Sequence, residues 1–280
     1  MSEAVMPLAG AALSGAADAG PAADAGAAAP KARRPMRDYL LSVEGLTVSF
    51  DGFKVVDDLS LAIEPNELRA VIGPNGAGKT TLLDLISGRT RATSGSIMFK
   101  GREILGLREH EIVRAGIGRK FQTPSIYESL SVFENLEMSF PRGRSVFGSL
   151  GFRRTPEVIA RVEEAAAAIF LSDHLRRPAD GLSHGQKQWL EIGMLLIQDP
   201  DLMMLDEPVA GMTPAERNST AELLIRLSAN RALIVIEHDM EFVKNIAHRV
   251  TVLHQGKWLA EGSMDHVQSD PKVIEVYLGH

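Results

Sequence analysis

The run Gly73-Pro74-Asn75-Gly76-Ala77-Gly78-Lys79-Thr80 restricts this chain more than any other feature. An apolar stretch, Leu68 to Ile72, comes just before it and reads as a buried strand. Thr81-Leu82-Leu83-Asp84-Leu85-Ile86 follows and reads as the first turns of a helix closed at Ser87-Gly88. A strand, a turn with the spacing G-x-x-x-x-G-K-[ST] and a helix together form a cradle for phosphate groups. Glycine lets backbone N–H groups turn inward where a side chain would obstruct an anion. The helix start points the positive end of its dipole at the same place. Lys79 has the charge and reach for terminal phosphates, and Thr80 has a hydroxyl suited to a magnesium ion. The chain is therefore expected to bind a nucleoside triphosphate through Gly73, Pro74, Asn75, Gly76, Ala77, Gly78, Lys79, Thr80 and Thr81.

Composition narrows the remaining possibilities. With 280 residues, 45% of them hydrophobic, the chain can bury a full core. Its 36 acidic against 30 basic residues argue against a nucleic-acid-binding surface, which needs a basic excess. The absence of cysteine excludes disulfides, thiolate metal sites and a cysteine nucleophile. No uninterrupted apolar run approaches the roughly 18 residues of a membrane-spanning helix, so a protein soluble by itself is expected. Residues 1–37 are mostly alanine and glycine, with Pro7, Pro21, Pro30 and Pro35 among them. They cannot bury enough apolar surface to offset ordering and read as a disordered tail. A signal peptide would need a basic start and an unbroken apolar centre, and this segment has neither.

The globular part is expected to span 38–280. Leu41 to Phe50 and Leu59 to Ile63 alternate like strands of an antiparallel sheet with one buried face, and Ser94 to Phe99 reads as a turn into another strand. From about 105 to 200 the texture is helical, as in Val158 to Ala165, with the alanine run 165–168 as helix interior. Leu202 to Leu205 and Leu233 to Ile236 are fully apolar, which suits a parallel sheet covered on both faces. Val250 to Leu253 and Trp258 to Ala260 read as a closing hairpin. The expected fold is α/β, a P-loop nucleotide-binding core with an antiparallel β-subdomain and an inserted helical subdomain.

A second constellation bears on chemistry. Leu202-Met203-Met204-Leu205-Asp206-Glu207 is an apolar strand ending in two carboxylates. The first suits magnesium, and the second is placed to orient and activate an attacking water. Upstream, Leu182-Ser183-His184-Gly185-Gln186-Lys187-Gln188 opens a helix with Ser183 as a plausible N-cap. The free N–H groups behind that cap form an anion site, or belong to an ordinary capped helix.

In this order the features resemble the ATPase subunit of an ATP-binding cassette (ABC) transporter, from residue 41 to the C-terminus. The resemblance implies ATP and Mg2+ as cofactors. Gly73 to Thr81 is then the Walker A loop, and Phe50 stacks on adenine, with Phe53 as a nearby competitor. Gln122 is the Q-loop glutamine, a metal ligand beside Thr80 and Asp206. Ser183, His184, Gly185 and Gln186 form the signature that binds the partner subunit's ATP, while Asp206 and Glu207 form Walker B. Ala210-Gly211-Met212-Thr213 is the D-loop, and His238 is the switch histidine. Glu207, His238 and Gln122 carry the catalytic roles. Two residues depart from the pattern: His184 stands where the signature has its second glycine, and Thr213 where aspartate is commonest. The backbone N–H of His184 and Gly185 itself remain, so phosphate binding is expected to persist. Thr213 lacks the aspartate carboxylate, so communication across the dimer is expected to differ.

The resemblance further implies two different ATPase subunits facing head to tail (a homodimer being the alternative in isolation), two permeases, a periplasmic binding protein and a place at the cytoplasmic face of a bacterial inner membrane. Gln122 and the residues after it, Thr123 to Leu130, then lie near a groove that receives a permease helix; otherwise they are a surface loop with a few core anchors. Gly118 to Gln122, Leu182 to Met194, Glu207 to Thr213 and Val273 to Gly279 resemble importers of the branched-chain amino-acid and amide family, nearest to its urea-uptake branch. A branched-chain amino-acid or other amide importer and a soluble ABC ATPase acting on ribosomes or DNA are the alternatives.

Overall fold

The computed structural model describes residues 39–120, 125–141 and 154–278. The expected tail over 1–37 and the position of Gln122 lie outside these residues. Alternating burial along the first two strands, β1 (Leu41–Phe50) and β2 (Phe53–Ile63), gives the sheet one apolar face. They pair antiparallel with Phe50 opposite Phe53. β3 (Leu68–Ile72) is buried throughout and leads into α1 (Lys79–Ile86). β4 (Ser94–Phe99) and β5 (Arg102–Glu103) complete a four-stranded antiparallel sheet of order β2-β1-β4-β5.

The second sheet adds β6 (Ile117–Lys120), β7 (Leu202–Asp206), β8 (Ala232–Ile236), β9 (Arg249–His254) and β10 (Lys257–Gly262) to β3, in the order β10-β9-β3-β8-β7-β6. All its pairings are parallel except the closing β9–β10 hairpin. Side-chain alternation assigns its two faces. Leu202, Met204, Ala232, Ile234 and Ile236 pack with the antiparallel sheet and α1. Met203, Leu205, Leu233 and Val235 pack with the helical side. Each of these side chains is almost fully buried, and a buried Leu, Ile or Val stabilises by about 1.5–3 kcal/mol.

The stretch expected to be helical from about 105 to 200 needs one correction. It opens with a helix, α2 (Glu109–Ala115), but then contributes β6 to the core sheet beside β7. Only Ile117 of this strand is a large apolar residue, so no apolar run or alternation marks it in the sequence, and Gly118 adds no side chain. In the fold it leaves room for Pro200 and Leu195, which lie 3.2 and 3.3 Å from where its Cβ would stand. Beyond β6, the described helical part comprises α3 (Val132–Met138), α4 (Pro156–Ala168) and α5 (His184–Ile197). Ser131, Thr155 and Ser183 cap them through side-chain oxygens, which fixes where each begins.

Four helices complete the described chain: α6 (Pro214–Ser228), α7 (Met240–Ile246), α8 (Met264–Ser269) and α9 (Pro271–Leu278). Trp189 on α5 donates its indole N–H to the Thr220 hydroxyl on α6 at 2.9 Å, tying the helical part to the core. Among the described residues, no helix is long and apolar enough to cross a membrane.

Candidate nucleotide and catalytic site

Three parallel strands, β3, β8 and β7, end side by side, and each delivers its functional residues at its C-terminal edge, the usual ligand-binding edge of such a sheet. After β3 the chain turns through Gly73 to Gly78. Two of these glycines answer to neighbours within the protein as well as to a phosphate. A Cβ on Gly73 would stand 2.2 Å from the Leu253 carbonyl oxygen, and one on Gly78 would stand 2.8 Å from that of Val55. Gly78 also holds φ 94° as the residue before α1, a left-handed conformation that favours glycine.

Lys79 donates from Nζ to the carbonyls of Gly73 at 2.8 Å and Pro74 at 3.0 Å, which curls the loop around its own ammonium. Burial lowers its pKa, while the carboxylates of Glu207 and Asp206 pull the other way. The two carboxylates thus lie near enough to the loop for Lys79 to feel their charge.

Asp206 closes β7 and is 1% exposed. Its pKa is raised by burial, against the opposing effects of the Thr80 hydroxyl and of Arg119, whose guanidinium stands 3.9 Å away. Neither carboxylate oxygen has a hydrogen bond of good geometry. A buried, under-satisfied carboxylate beside a threonine hydroxyl is an environment that a hard divalent cation fits. Thr80 and Asp206 are therefore the described residues able to hold Mg2+.

Glu207 adopts φ 48°, a left-handed conformation uncommon outside glycine and found at sites where neighbours over-determine the backbone. Its N–H donates to the Ile236 carbonyl at 3.0 Å, which locks the turn to the end of β8. His238 follows β8, 71% exposed, with Nδ1 3.8 Å from a Glu207 carboxylate oxygen. Between them Glu237 is buried and accepts the backbone N–H groups of Val209 at 3.1 Å and His238 at 3.2 Å. Burial raises its pKa. Phe50 and Phe53 are 50% and 72% exposed at the end of the β1–β2 hairpin, so each offers a ring face.

The signature residues make none of their described hydrogen bonds to this loop. Ser183 and Gln186 form a reciprocal cap on α5, with the Gln186 N–H donating to the serine hydroxyl at 3.2 Å and the Ser183 N–H to the amide oxygen at 3.0 Å. His184 places Nε2 3.1 Å from the Ala210 carbonyl, and Gly185 packs beneath the Glu216 carboxylate. The D-loop residue Thr213 caps α6, accepting the Glu216 N–H at 3.3 Å. The signature and the D-loop therefore meet each other within one subunit.

Sequence reasoning missed Arg119, Lys120, Glu191 and Glu216. Arg119 is nearly buried and donates to Asp84 at 2.7 Å and Ser87 at 3.0 Å on the helix behind the phosphate loop. Lys120 pairs with Glu191 of the signature helix at 3.5 Å, and Glu191 also accepts the Ser125 N–H at 2.5 Å. These contacts join residues far apart in the chain and leave no local signal. Glu216 does have one: Thr213-Pro-Ala-Glu216 has the spacing of a capping box.

Comparison with known proteins agrees with this geometry. A family model described as "ABC transporter" matches residues 56–210, and one described as "Branched-chain amino acid ATP-binding cassette transporter" matches 259–280. The high-affinity branched-chain amino acid transport ATP-binding protein LivG of Escherichia coli K12 is 35% identical over 253 residues, covering 87% of this chain and 99% of its own. BraF of Pseudomonas aeruginosa, which carries the same description, is 34% identical over 249 residues, covering 86% and 98%. The crystal structure of a nucleotide-free ATP-binding cassette from an ABC transporter superposes with a TM-score of 0.77 at 31% identity, covering 86% of this chain and all of that one.

Proposed function

We propose, for a chain that belongs to the ABC transporter family and is an ATP-hydrolysing enzyme coupled to transport, that it powers an importer for branched-chain amino acids or related amides. The convergence of Lys79, Thr80, Asp206, Glu207 and His238 at one edge of the sheet supports the catalytic part of this reading. The full-length similarity to LivG and BraF supports the substrate class.

In this reading Gly73 to Thr81 cradle the triphosphate, Phe50 or Phe53 stacks on the adenine, and Lys79 leaves its two loop carbonyls to meet the terminal phosphates. Thr80 and Asp206, with Gln122 as a further ligand, would hold Mg2+, which would supply neutralising charge to the phosphates. Glu207 orients the attacking water and His238 steadies the γ-phosphate. The strained turn at Glu207 fixes the backbone from which its carboxylate extends, which matters because such catalysis is mainly positioning. Ser183, His184, Gly185 and Gln186 receive the nucleotide of a second ATPase subunit arranged head to tail. Binding then closes the pair and hydrolysis releases it. The two subunits act on two permeases, with a periplasmic binding protein upstream, at the cytoplasmic face of a bacterial inner membrane.

Urea is the second substrate reading, favoured by His184 and Thr213. Uptake of labelled leucine and labelled urea in source cells, wild type against Lys79→Ala, separates the two. Loss of leucine uptake alone supports the first substrate, and loss of urea uptake alone replaces it with the second. Unchanged uptake of both would overturn the importer assignment for these solutes.

A further inference from the structure

The N-terminal turn of α5 already carries an anion from its own chain. The Ser183 hydroxyl donates to Glu216 Oε1 at 3.0 Å. The same oxygen lies 2.5 Å from where a Cβ on Gly185 would stand, so the carboxylate rests directly on the glycine backbone. Its other oxygen accepts the N–H of Thr213 at 2.9 Å and the Thr213 hydroxyl at 2.8 Å. We infer that Glu216 is a positioning residue that occupies the signature motif in the single subunit and must yield Ser183 and Gly185 before a second subunit's triphosphate can bind there.

Chemistry and geometry agree on this role. A carboxylate and a phosphate seek the same donors, namely a helix N-terminus and a serine hydroxyl. Both cannot be satisfied by one hydroxyl proton, and two anions at one helix start repel each other. Hydrogen bonds from Thr213 and Ser183 lower the Glu216 pKa, so the group carries its charge at neutral pH. Thr213 gives it a place to go. Rotating away from Ser183 need not break the two contacts with Thr213, and the cap of α6 survives the exchange. The D-loop residue thus holds the carboxylate while the signature releases it, and the ATP concentration needed to engage the signature is set by this competition.

This role for Glu216 rests on the reading that the signature receives a partner's nucleotide, so the test reads the two separately. In the full-length chain, binding of a fluorescent ATP analogue at low protein concentration reports the phosphate loop alone. The ATP concentration for half-maximal hydrolysis, measured at several protein concentrations, reports the assembled site. Glu216→Gln is expected to leave the first unchanged and to lower the second about fivefold with kcat unchanged, the effect of removing one solvent-screened charge. A merely structural role for Glu216 would lower thermal stability without lowering that midpoint.

An unchanged or raised midpoint in Glu216→Gln, with kcat intact, overturns the proposal. Should the glutamine variant fail to fold, Glu216→Asp keeps a carboxylate near Thr213 but draws it off Gly185. A smaller fall in the midpoint is then expected, and no fall overturns the proposal. Hydrolysis per chain that is independent of protein concentration and untouched by Ser183→Ala removes the shared-nucleotide reading, and this role with it. Intact binding of the analogue would show that the phosphate loop itself is sound.

Discussion

Lys120 and Glu191 make the most informative target for stability. Both side chains are buried, at 0% and 7% exposure, so solvent screens their interaction little. Burial lowers the Lys120 pKa and raises that of Glu191, and in each case it outweighs the attraction between them. The pair is therefore a local arrangement that neutralises two poorly solvated charges rather than a net source of stability. Replacing either partner removes the nearest opposite charge from the other. Lys120→Met and Glu191→Gln are each expected to cost about 3 kcal/mol, a fall in melting temperature of roughly 6–12 °C for a domain of this size. The double variant removes both charges and leaves the glutamine oxygen to accept the Ser125 N–H. It should lie within about 2 kcal/mol of wild type, where adding the single effects gives about 6. Urea denaturation of the four proteins, with slopes checked for equality, measures the difference. A double variant as unstable as the sum of the singles would show that the two groups do not interact and refute the reasoning.

Two further outcomes follow from the catalytic edge. Glu207→Gln should retain ATP binding while turnover falls by about a hundredfold or more, as for loss of a group that activates water; near-normal hydrolysis would remove Glu207 from that role. Glu237 binds its proton more tightly when folded, because burial raises its pKa above the ordinary 4.5. Between 4.5 and the raised value the folded chain holds a proton that the unfolded chain has released, so this group's contribution to stability declines as pH rises through the window. Glu237→Gln should remove that slope and raise the melting temperature at pH 8 relative to wild type. An unaltered pH profile would show that the carboxyl titrates alike in both states.

Legibility in the sequence followed the range of each interaction. The phosphate loop, the strand ending in Asp206-Glu207 and the Ser183 cap are local patterns, and each appears where its spacing indicated. The hairpin of β9 and β10 and the two-faced burial of β7 and β8 were equally readable, the first from two strand-like runs around a short turn and the second from fully apolar runs. β6 was not, since a four-residue strand broken by glycine has no periodicity and exists because β7 offers it a partner. Gly73 and Gly78 belong to the expected phosphate loop, yet their closest constraints are the carbonyls of Leu253 and Val55, contacts that only the folded sheet creates. Substrate identity lies further out of reach. The expected site acts on a nucleotide and does not touch the transported solute, so its residues bear on the substrate only by resemblance.

The two departures from the signature and D-loop patterns acquire a common physical basis. Thr213 lacks the carboxylate commonest at its position, but Glu216, one helical turn on, supplies one to the same hydroxyl and carries it across to Ser183. His184 replaces a glycine whose absent side chain would have left a gap, and its ring packs against Gly211 and reaches the Ala210 carbonyl. His184 therefore joins the signature helix to the D-loop directly, and Thr213 is linked to that helix only through Glu216. The turn Glu207-Pro208-Val209-Ala210 connects that joint to the catalytic carboxylate, with the Ala210 N–H donating to the Glu207 carbonyl at 3.3 Å. A nucleotide that displaces Glu216 from Ser183 would uncouple the signature helix from the chain segment that leads back to Glu207. Communication between the two nucleotide sites of a dimer would then pass through a hydrogen-bonded carboxylate that Thr213 anchors, rather than through an aspartate in the D-loop.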